Sequence, residues 1–371
     1  MSESPSEDAR FMARAIELAQ RATGATHPNP IVGAVIVEDG QIVAEGWHKL
    51  AGQAHAEVDA LSKLGRAPKE GARMYVTLEP CCTHGNTGAC TNAIIASGIR
   101  HVIVGAVDPN PDHAGNGLEV LREAGVEVTA GVLGETCTDL NLIFNHWICK
   151  QRPFVALKIA TTLDGKFGAA NGYSKWITGE IARRDVMRWR QYFPAIAVTS
   201  NTVLADNPSL TVRLDGEVSC PQRFILDRQL KTIDAPVMFH VYTDRFHDQT
   251  TVVCEEGADE ALKANVRQRG LKLWEIPSLE GRLDLGAFVQ KLKEAGLIGL
   301  YLEAGPGLTT SLLEHQQIDY LLHYVAPKYM SDTDSPGIGS ARATQSMEAS
   351  IQLKTVKHLS FGDDFLLRGH V

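Results

Sequence analysis

The side chains best suited to chemistry in this 371-residue chain lie in two short segments. His55, Ala56 and Glu57 open an apparent helix, and a loop carrying Cys81, Cys82 and Cys90 follows a strand pattern that ends at Leu78. Imidazole and thiolate are preferred donors to zinc, and one histidine with two cysteines leaves the fourth tetrahedral position to water. That open position suits hydrolysis, in which the metal acidifies water for attack, better than a zinc that staples a loop. Residues two apart on a helix do not share a face, so His55 and Glu57 can serve one centre only if it lies off the helix N-terminus. There the helix dipole favours negative charge. Cys90 precedes a second helical pattern over residues 91–97, whose N-terminus would stabilise its thiolate in the same way. The spacing of Glu57 from His55 sets it at that centre as a candidate catalytic group rather than as an ordinary first-turn glutamate.

The elements that must position these groups follow from periodicity. Helical patterns span residues 8–21 and resume from Ala56, and strand patterns cover 31–37, 74–78, 102–106 and 126–129, with a short helix over 119–125. Alternating helices and strands predict an α/β sandwich. The segment 140–147 leads into Gln151, Arg152 and Pro153, which places a boundary between domains at 1–150 and 151–371. The second part restarts with an apolar run at 154–160, a turn at Leu163, Asp164 and Gly165, and a basic helix carrying Arg183, Arg184, Arg188 and Arg190. Further strands are predicted over 195–199, 223–226, 237–241 and 297–303, and residues 335–339 read as a loop. The result is two α/β domains.

Composition narrows the partners. Lys and Arg total 36 against 44 Asp and Glu, a formal charge of -8 that disfavours nucleic acid and leaves a small molecule as the expected ligand. No stretch approaches the roughly 18 apolar residues of a membrane span, and residues 1–8 lack the basic, then apolar, order of a secretory signal. A cytoplasmic protein is expected. The remaining cysteines, Cys137, Cys149, Cys220 and Cys254, are scattered as inert thiols are, not spaced as a disulfide framework.

The segments His27-Pro28-Asn29-Pro30, Val32-Gly33, His55-Ala56-Glu57, Leu78-Glu79-Pro80-Cys81 and Asp108-Pro109-Asn110-Pro111 resemble the cytidine deaminase superfamily. Within it, the long spacing from Cys81 to Cys90 resembles the bifunctional riboflavin-biosynthesis deaminase and reductase family. Cys81, directly after Pro80, matches the first cysteine of the zinc deaminase signature, so the resemblance implies His55, Cys81 and Cys90 as ligands, with Cys82 facing away. It also implies that Asn29 and His48 line a pyrimidine pocket and that the loop after Cys81 meets a ribose phosphate. His84, by its place inside the cysteine loop, is a candidate to touch substrate or metal, and substrate is the expectation. Asn86 stands where the family often has a basic residue, and Cys82 and Thr83 replace its usual Ser and His.

In the second domain, a strand ending at Glu303 runs into Ala304, Gly305, Pro306, Gly307, Leu308, Thr309, Thr310 and Ser311 before a helical pattern. Glycines there would let backbone N–H groups approach a phosphate, although this is not the Gly-x-Gly-x-x-Gly fingerprint. Together with Lys158-Ile159-Ala160, Leu163-Asp164-Gly165, Ser174 to Thr178 and Thr202 to Pro208, it resembles the family's reductase domain. The resemblance implies a cytidine-deaminase-like α/β/α sandwich followed by a dihydrofolate-reductase-like α/β domain that binds NADPH. Ala160, Trp176, Thr202, Asp206 and Gly305 to Ser311 are its implied cofactor contacts. Ser174, Arg190, Leu210, Arg213 and Glu303 are its substrate contacts, with Lys158 and Glu303 handling protons. Arg190 on a helix and Arg213 on a loop could converge on a substrate phosphate, whereas Arg183, Arg184 and Arg188 read as solvated.

The reading is a zinc-dependent deamination of 2,5-diamino-6-(5-phosphoribosylamino)pyrimidin-4(3H)-one followed by NADPH-dependent reduction of the ribosyl group, in a homo-oligomer. Three alternatives stand beside it: a nucleic-acid base deaminase with an appended domain, a deaminase whose second domain is inactive, and a non-catalytic zinc-stapled nucleotide-binding module.

Overall fold

The computed structural model describes residues 6–82, 88–110, 114–339 and 344–371. The chain divides into two compact units, Met1–Gln151 and Arg152–Val371. The first runs α1 (Glu7–Gln20), β1 (Gly33–Glu38), β2 (Gln41–Trp47), α2 (Ala56–Leu64), β3 (Arg73–Leu78), α3 (Cys90–Ser97), β4 (His101–Ala106), α4 (Asn116–Glu123), β5 (Glu127–Ala130), α5 (Gly134–Asp139) and α6 (Leu142–Lys150). Its sheet has the order β2-β1-β3-β4-β5, with β1 antiparallel to both neighbours and the rest parallel.

Helices cover both faces of this sheet, which is why β1 and β3 read as continuous apolar runs. Phe11, Met12 and Ala15 of α1 pack on Val35, Tyr75 and Ile103. Ala56 and Ala60 of α2, Ile94 of α3, and Leu118 and Leu121 of α4 pack on Ile36, Met74, Val76 and Val104. The result is the expected α/β/α sandwich. Strand β2 escaped the sequence reading because its first three residues are exposed. Its signal was the Asp39-Gly40 pair, which has positive φ at both residues as a two-residue hairpin turn requires. Gly46 of β2 brings α2 onto the sheet, since a Cβ there would lie 2.2 Å from the Ala56 carbonyl oxygen.

The second unit runs β6 (Phe154–Thr162), α7 (Glu180–Tyr192), β7 (Ala195–Thr199), α8 (Ser200–Asp206), β8 (Val212–Leu214), β9 (Glu217–Ser219), β10 (Gln222–Leu226), α9 (Lys231–Asp234), α10 (His240–Thr243), β11 (Thr250–Glu255), α11 (Glu260–Gln268), β12 (Lys272–Ile276), β13 (Ser278–Leu279), β14 (Arg282–Leu283), α12 (Leu285–Glu294), β15 (Gly299–Glu303), α13 (Pro306–Glu314), β16 (Tyr320–Ala326), β17 (Lys354–Phe361) and β18 (Asp364–His370). Its main sheet has the order β12-β11-β10-β7-β15-β6-β16-β18-β17. Every pair from β12 to β16 is parallel, and β18 and β17 add an antiparallel edge. Leu157, Ala197, Phe224, Leu300 and Leu302 pack against Phe288 and Leu292 of α12 and Leu312 of α13.

Helix α8 leads from β7 outward towards β10, whereas α13 leads from β15 to β16 on the opposite side. The C-terminal ends of β7 and β15 therefore flank a switch point, the place where open α/β sheets bind ligands. The strand expected at 237–241 is absent: this stretch is a loop entering α10. Val237 and Met238 are exposed while Phe239 and Tyr242, three apart, are buried, so the run carries a helical burial pattern too short to separate from a strand by sequence.

Candidate functional site

Two helix starts meet in the first unit. His55 is the N-cap of α2 and Cys90 the first residue of α3, and neither N-terminus has a side-chain cap. Their backbone N–H groups and dipoles are thus available to negative charge. His55 Nδ1 lies 3.1 Å from Cys90 Sγ and 3.5 Å from Cys81 Sγ, and the Cys90 backbone N–H donates to Cys81 Sγ at 3.4 Å. One nitrogen and two sulfurs thus converge within 4.8 Å. This donor set fits zinc with one position open, and Cys82 is not among the clustered donors. All seven cysteines are free thiols.

Glu57 is buried beside this cluster, and burial pushes its carboxyl up to about 7. Hydrogen bonds from Cys90 and His55 hold the Cys81 thiol down at about 4. His48 packs edge-on against the His55 ring at 5.3 Å between centroids. Its Nδ1 faces the Ala54 carbonyl oxygen at 3.1 Å and so carries the proton, leaving Nε2 to accept from the Asn29 amide at 3.3 Å. Burial lowers the pKa of His48, which keeps the ring neutral in this role. The structure therefore brings Asn29, His48, His55, Glu57, Cys81 and Cys90 to one place. His84, with Thr83 and Asn86, lies outside the described residues.

In the second unit, Lys158 on β6 stands in register with Glu303 on β15. Burial lowers the Lys158 pKa, and the Glu303 charge partly restores it. Burial alone would raise the Glu303 carboxyl, but Arg190 holds it below its usual range. Arg190 Nη1 also donates to the Thr211 carbonyl oxygen at 3.1 Å, and Arg213 Nη1 donates to the Thr211 hydroxyl at 3.1 Å. Arg190 and Arg213 thus both reach Thr211, at different atoms, and Arg213 lies on β8 and not on a loop. Leu210 is only 1% exposed, so the fold buries this expected substrate contact.

Beside this cluster, α13 starts at the C-terminal end of β15 with Gly305 as N-cap and Pro306 at its first position. Its first turn has no acidic residue and no side-chain cap, and a Cβ at Gly305 or Gly307 would meet nothing within 4 Å. Such an open helix start fits the phosphates of an anionic dinucleotide. Thr202 shares its hydroxyl with Thr199 at 3.3 Å at the end of β7, across the same switch point, and Asp206 lies 3.9 Å from Lys175 Nζ. Ala160 is two residues beyond Lys158 on β6. Ser174 and Trp176 lie in the segment between β6 and α7; Trp176 is 65% exposed, which rules out a core role.

Several neighbours of these residues were not legible beforehand. Arg183, expected to be solvated, sits over the Trp176 ring at 4.4 Å and donates to the Thr178 carbonyl oxygen at 2.6 Å. Arg184 pairs with Asp215, and Arg188 is exposed as expected. Lys328 Nζ donates to the carbonyl oxygens of Trp176 and Ile177, and Arg282 Nη1 donates to Ser311 Oγ at 2.8 Å. Thr310 Oγ1 accepts from the Gly339 N–H at 3.1 Å. No local pattern announces the contacts of Arg184, Lys328, Arg282 and Thr310, because each joins segments far apart in the chain. The Arg183 contacts, though local, depend on the irregular turn that brings Trp176 and Thr178 under the start of α7.

Fold and sites together define a two-unit enzyme: a zinc-type deaminase followed by a dinucleotide-dependent reductase. Residues 5–106 match the cytidine and deoxycytidylate deaminase zinc-binding region, and residues 153–367 match the RibD C-terminal domain. The riboflavin biosynthesis protein RibD of Actinobacillus pleuropneumoniae is 40% identical over 97% of this chain and 94% of its own, and that of Aquifex aeolicus (strain VF5) is 39% identical over 97% of both. Among solved structures, Acinetobacter baumannii RibD, form 1, superposes with a TM-score of 0.77 at 33% identity, covering 98% of this chain and 99% of that one. A diaminohydroxyphosphoribosylaminopyrimidine deaminase/5-amino-6-(5-phosphoribosylamino)uracil reductase from Thermotoga maritima gives 0.78 at 35% identity, with 98% of each chain covered. The chain belongs to the RibD family of bifunctional riboflavin-biosynthesis enzymes. Its cofactors are zinc and NADPH.

Proposed function

We propose that the first unit removes the amino group of 2,5-diamino-6-(5-phosphoribosylamino)pyrimidin-4(3H)-one and that the second reduces the resulting 5-amino-6-(5-phosphoribosylamino)uracil to its ribitylamino form. The convergence of His55 Nδ1 with the sulfurs of Cys81 and Cys90 beside the buried Glu57 carries the reading. His55, Cys81 and Cys90 would hold the metal. Zinc, when bound, supplies a nucleophile at neutral pH by acidifying a coordinated water. Glu57 takes the proton released from that water and returns it to the departing nitrogen, so that water and the C–NH2 group give a carbonyl and ammonia. Asn29, locked against the neutral His48, orients the pyrimidine edge.

In the second unit, bound NADPH would supply the hydride that C1 of the opened ribose takes up. The start of α13 and Thr202 position the cofactor, and Arg190 with Arg213 binds the substrate phosphate. Lys158, facing Glu303, gives a proton to the nitrogen or oxygen beside the carbon that takes hydride. The acidic net charge and the scattered thiols support a small-molecule enzyme of the cytoplasm that meets neither nucleic acid nor membrane. Its assembly as a homo-oligomer rests on the family resemblance alone. Among the described residues no helix is long and apolar enough to cross a membrane.

The test is incubation of purified protein with the diaminopyrimidine phosphate, with and without NADPH. Ammonia release should not require NADPH, and cofactor oxidation should follow it. Absence of ammonia release from zinc-replete protein would remove the deaminase reading. Absence of NADPH oxidation on the deaminated compound would leave the second unit without its proposed reaction.

A further inference from the structure

Glu79, between the end of β3 and the Pro80-Cys81 segment, is 7% exposed and carries an ionisable group into the protein. A buried carboxylate is costly unless hydrogen-bonded. Here Oε2 accepts from the backbone N–H groups of Asp108 and Gly115, both at 3.0 Å, and Oε1 accepts from that of Gly117 at 2.8 Å. Gly115 is the N-cap of α4 and Gly117 its second residue, and α4 has no cap from its own side chains. Glu79 therefore caps α4 from a different strand, placing negative charge where the dipole favours it. The Asp108 side chain accepts from the Asn110 N–H at 2.9 Å, so the same carboxylate gathers in the Asp108-Pro109-Asn110 turn.

This tether is stiff at both ends. Helix α4 is anchored in the core by Leu118 and Leu121, and the Glu79 N–H donates to the Ala106 carbonyl oxygen at 2.9 Å. Gly117 lets the start of α4 lie directly on the chain before Cys81: a Cβ there would come 2.2 Å from the Pro80 carbonyl oxygen. On its other side, Cys81 is held by α3, through the Thr91 N–H to its carbonyl oxygen at 3.2 Å and the Cys90 N–H to its sulfur at 3.4 Å. Cys81 thus sits between two helix starts, one gripping it directly and the other gripping Glu79.

We propose that Glu79 is a positioning residue for the metal centre: by capping α4 from the end of β3, it sets the place of the Cys81 sulfur and couples the Asp108 to Asn110 turn to the zinc ligands. The inference rests on the assignment of His55, Cys81 and Cys90 as ligands. Groups that orient a metal ligand at one remove typically cost 10-fold to 100-fold in metal affinity when replaced. In full-length Glu79→Gln, where an amide NH2 replaces one acceptor, competition with a chelator should show zinc held about 10-fold to 100-fold more weakly. The thiolate-to-metal absorption of the cobalt-loaded variant should shift or broaden relative to the unmodified protein. Wild-type zinc affinity with an unchanged cobalt spectrum overturns the proposal, and so does a lowered melting temperature with zinc affinity unchanged, which marks a purely structural role. Gly117→Ala, which presses on the Pro80 carbonyl, should perturb the same two readouts, and it decides the matter if Glu79→Gln does not fold. If the unmodified protein binds no zinc that Cys81→Ser removes, the ligand assignment fails first and takes this proposal with it.

Discussion

Arg190 and Glu303 face each other as a two-point ion pair, Nε to Oε1 at 2.6 Å and Nη2 to Oε2 at 2.9 Å, with side chains 11% and 16% exposed. The pair ties the last turn of α7 to the C-terminal end of β15 and holds the carboxylate opposite Lys158. Breaking a buried pair from one side leaves an uncompensated charge, which costs about 3–5 kcal/mol. Arg190→Met should therefore lower the urea midpoint of the second unit and abolish NADPH oxidation. Replacing both partners with apolar residues should recover most of the stability and none of the activity. Equal destabilisation in the single and double variants would show that the pair does not act as a unit.

Lys158 titrates under opposing influences, burial lowering its pKa and the Glu303 charge raising it. Its proton should leave below the ordinary lysine value of about 10.4, so NADPH oxidation should fall on the alkaline side at a lower pH than that. Lys158→Arg, which keeps its charge, should flatten this limb even if the rate is reduced. A limb that persists unchanged in kcat measurements on Lys158→Arg assigns it to another group.

The zinc ligands separate by substitution. Cys81→Ser and Cys90→Ser should each lose stoichiometric zinc in metal analysis, because their sulfurs converge with His55 Nδ1, whereas Cys82→Ser should retain it. Loss of metal from Cys82→Ser with retention in Cys81→Ser would reverse the choice between the neighbours.

Glu57→Gln should keep its zinc, since Glu57 is not a ligand, while ammonia release falls about 10²-fold to 10⁴-fold for want of a proton carrier. The same variant should still oxidise NADPH when given the already deaminated ribosylamino-uracil phosphate, because no proposed group of the second unit lies before Arg152. A fragment spanning Met1–Gln151 should release ammonia without NADPH. Loss of both activities in Glu57→Gln would show that the sites are not independent.

His323 on β16 accepts or donates to the Thr161 hydroxyl at 2.8 Å, and burial pushes its pKa down to about 4. An unfolded histidine titrates near 6.5. Below that value the unfolded chain binds a proton that the folded chain refuses, so this stabilisation is complete above pH 6.5 and shrinks as pH falls towards 4. The slope is about 1.4 kcal/mol per pH unit. Going from pH 7 to pH 5 should therefore cost the wild-type second unit about 2 kcal/mol more than it costs His323→Gln, measured by urea denaturation at each pH. Equal pH dependence in both proteins would place His323 outside this linkage.

The amino-acid order by itself determined the donor set and its setting. Zinc chemistry follows from residue type, and the placing of His55 and Cys90 at helix starts follows from local periodicity, which a chain reveals within a dozen residues. The glycine-bearing link from Glu303 into α13 was legible for the same reason. Other features depended on partners that no local pattern names. Strand β2 was missed together with its Asp39-Gly40 turn, since an exposed edge strand has weak alternation, and the stretch 237–241 satisfied strand and helix patterns alike. Arg183 looked solvated until the fold set it over Trp176. Only the tertiary structure decided that Glu79 would meet groups 29 to 38 positions away, and that Arg190 would close on Glu303 across 113. Such pairings are set by strand order and crossover connections, and these are settled by the burial of whole faces rather than by the propensity of any segment.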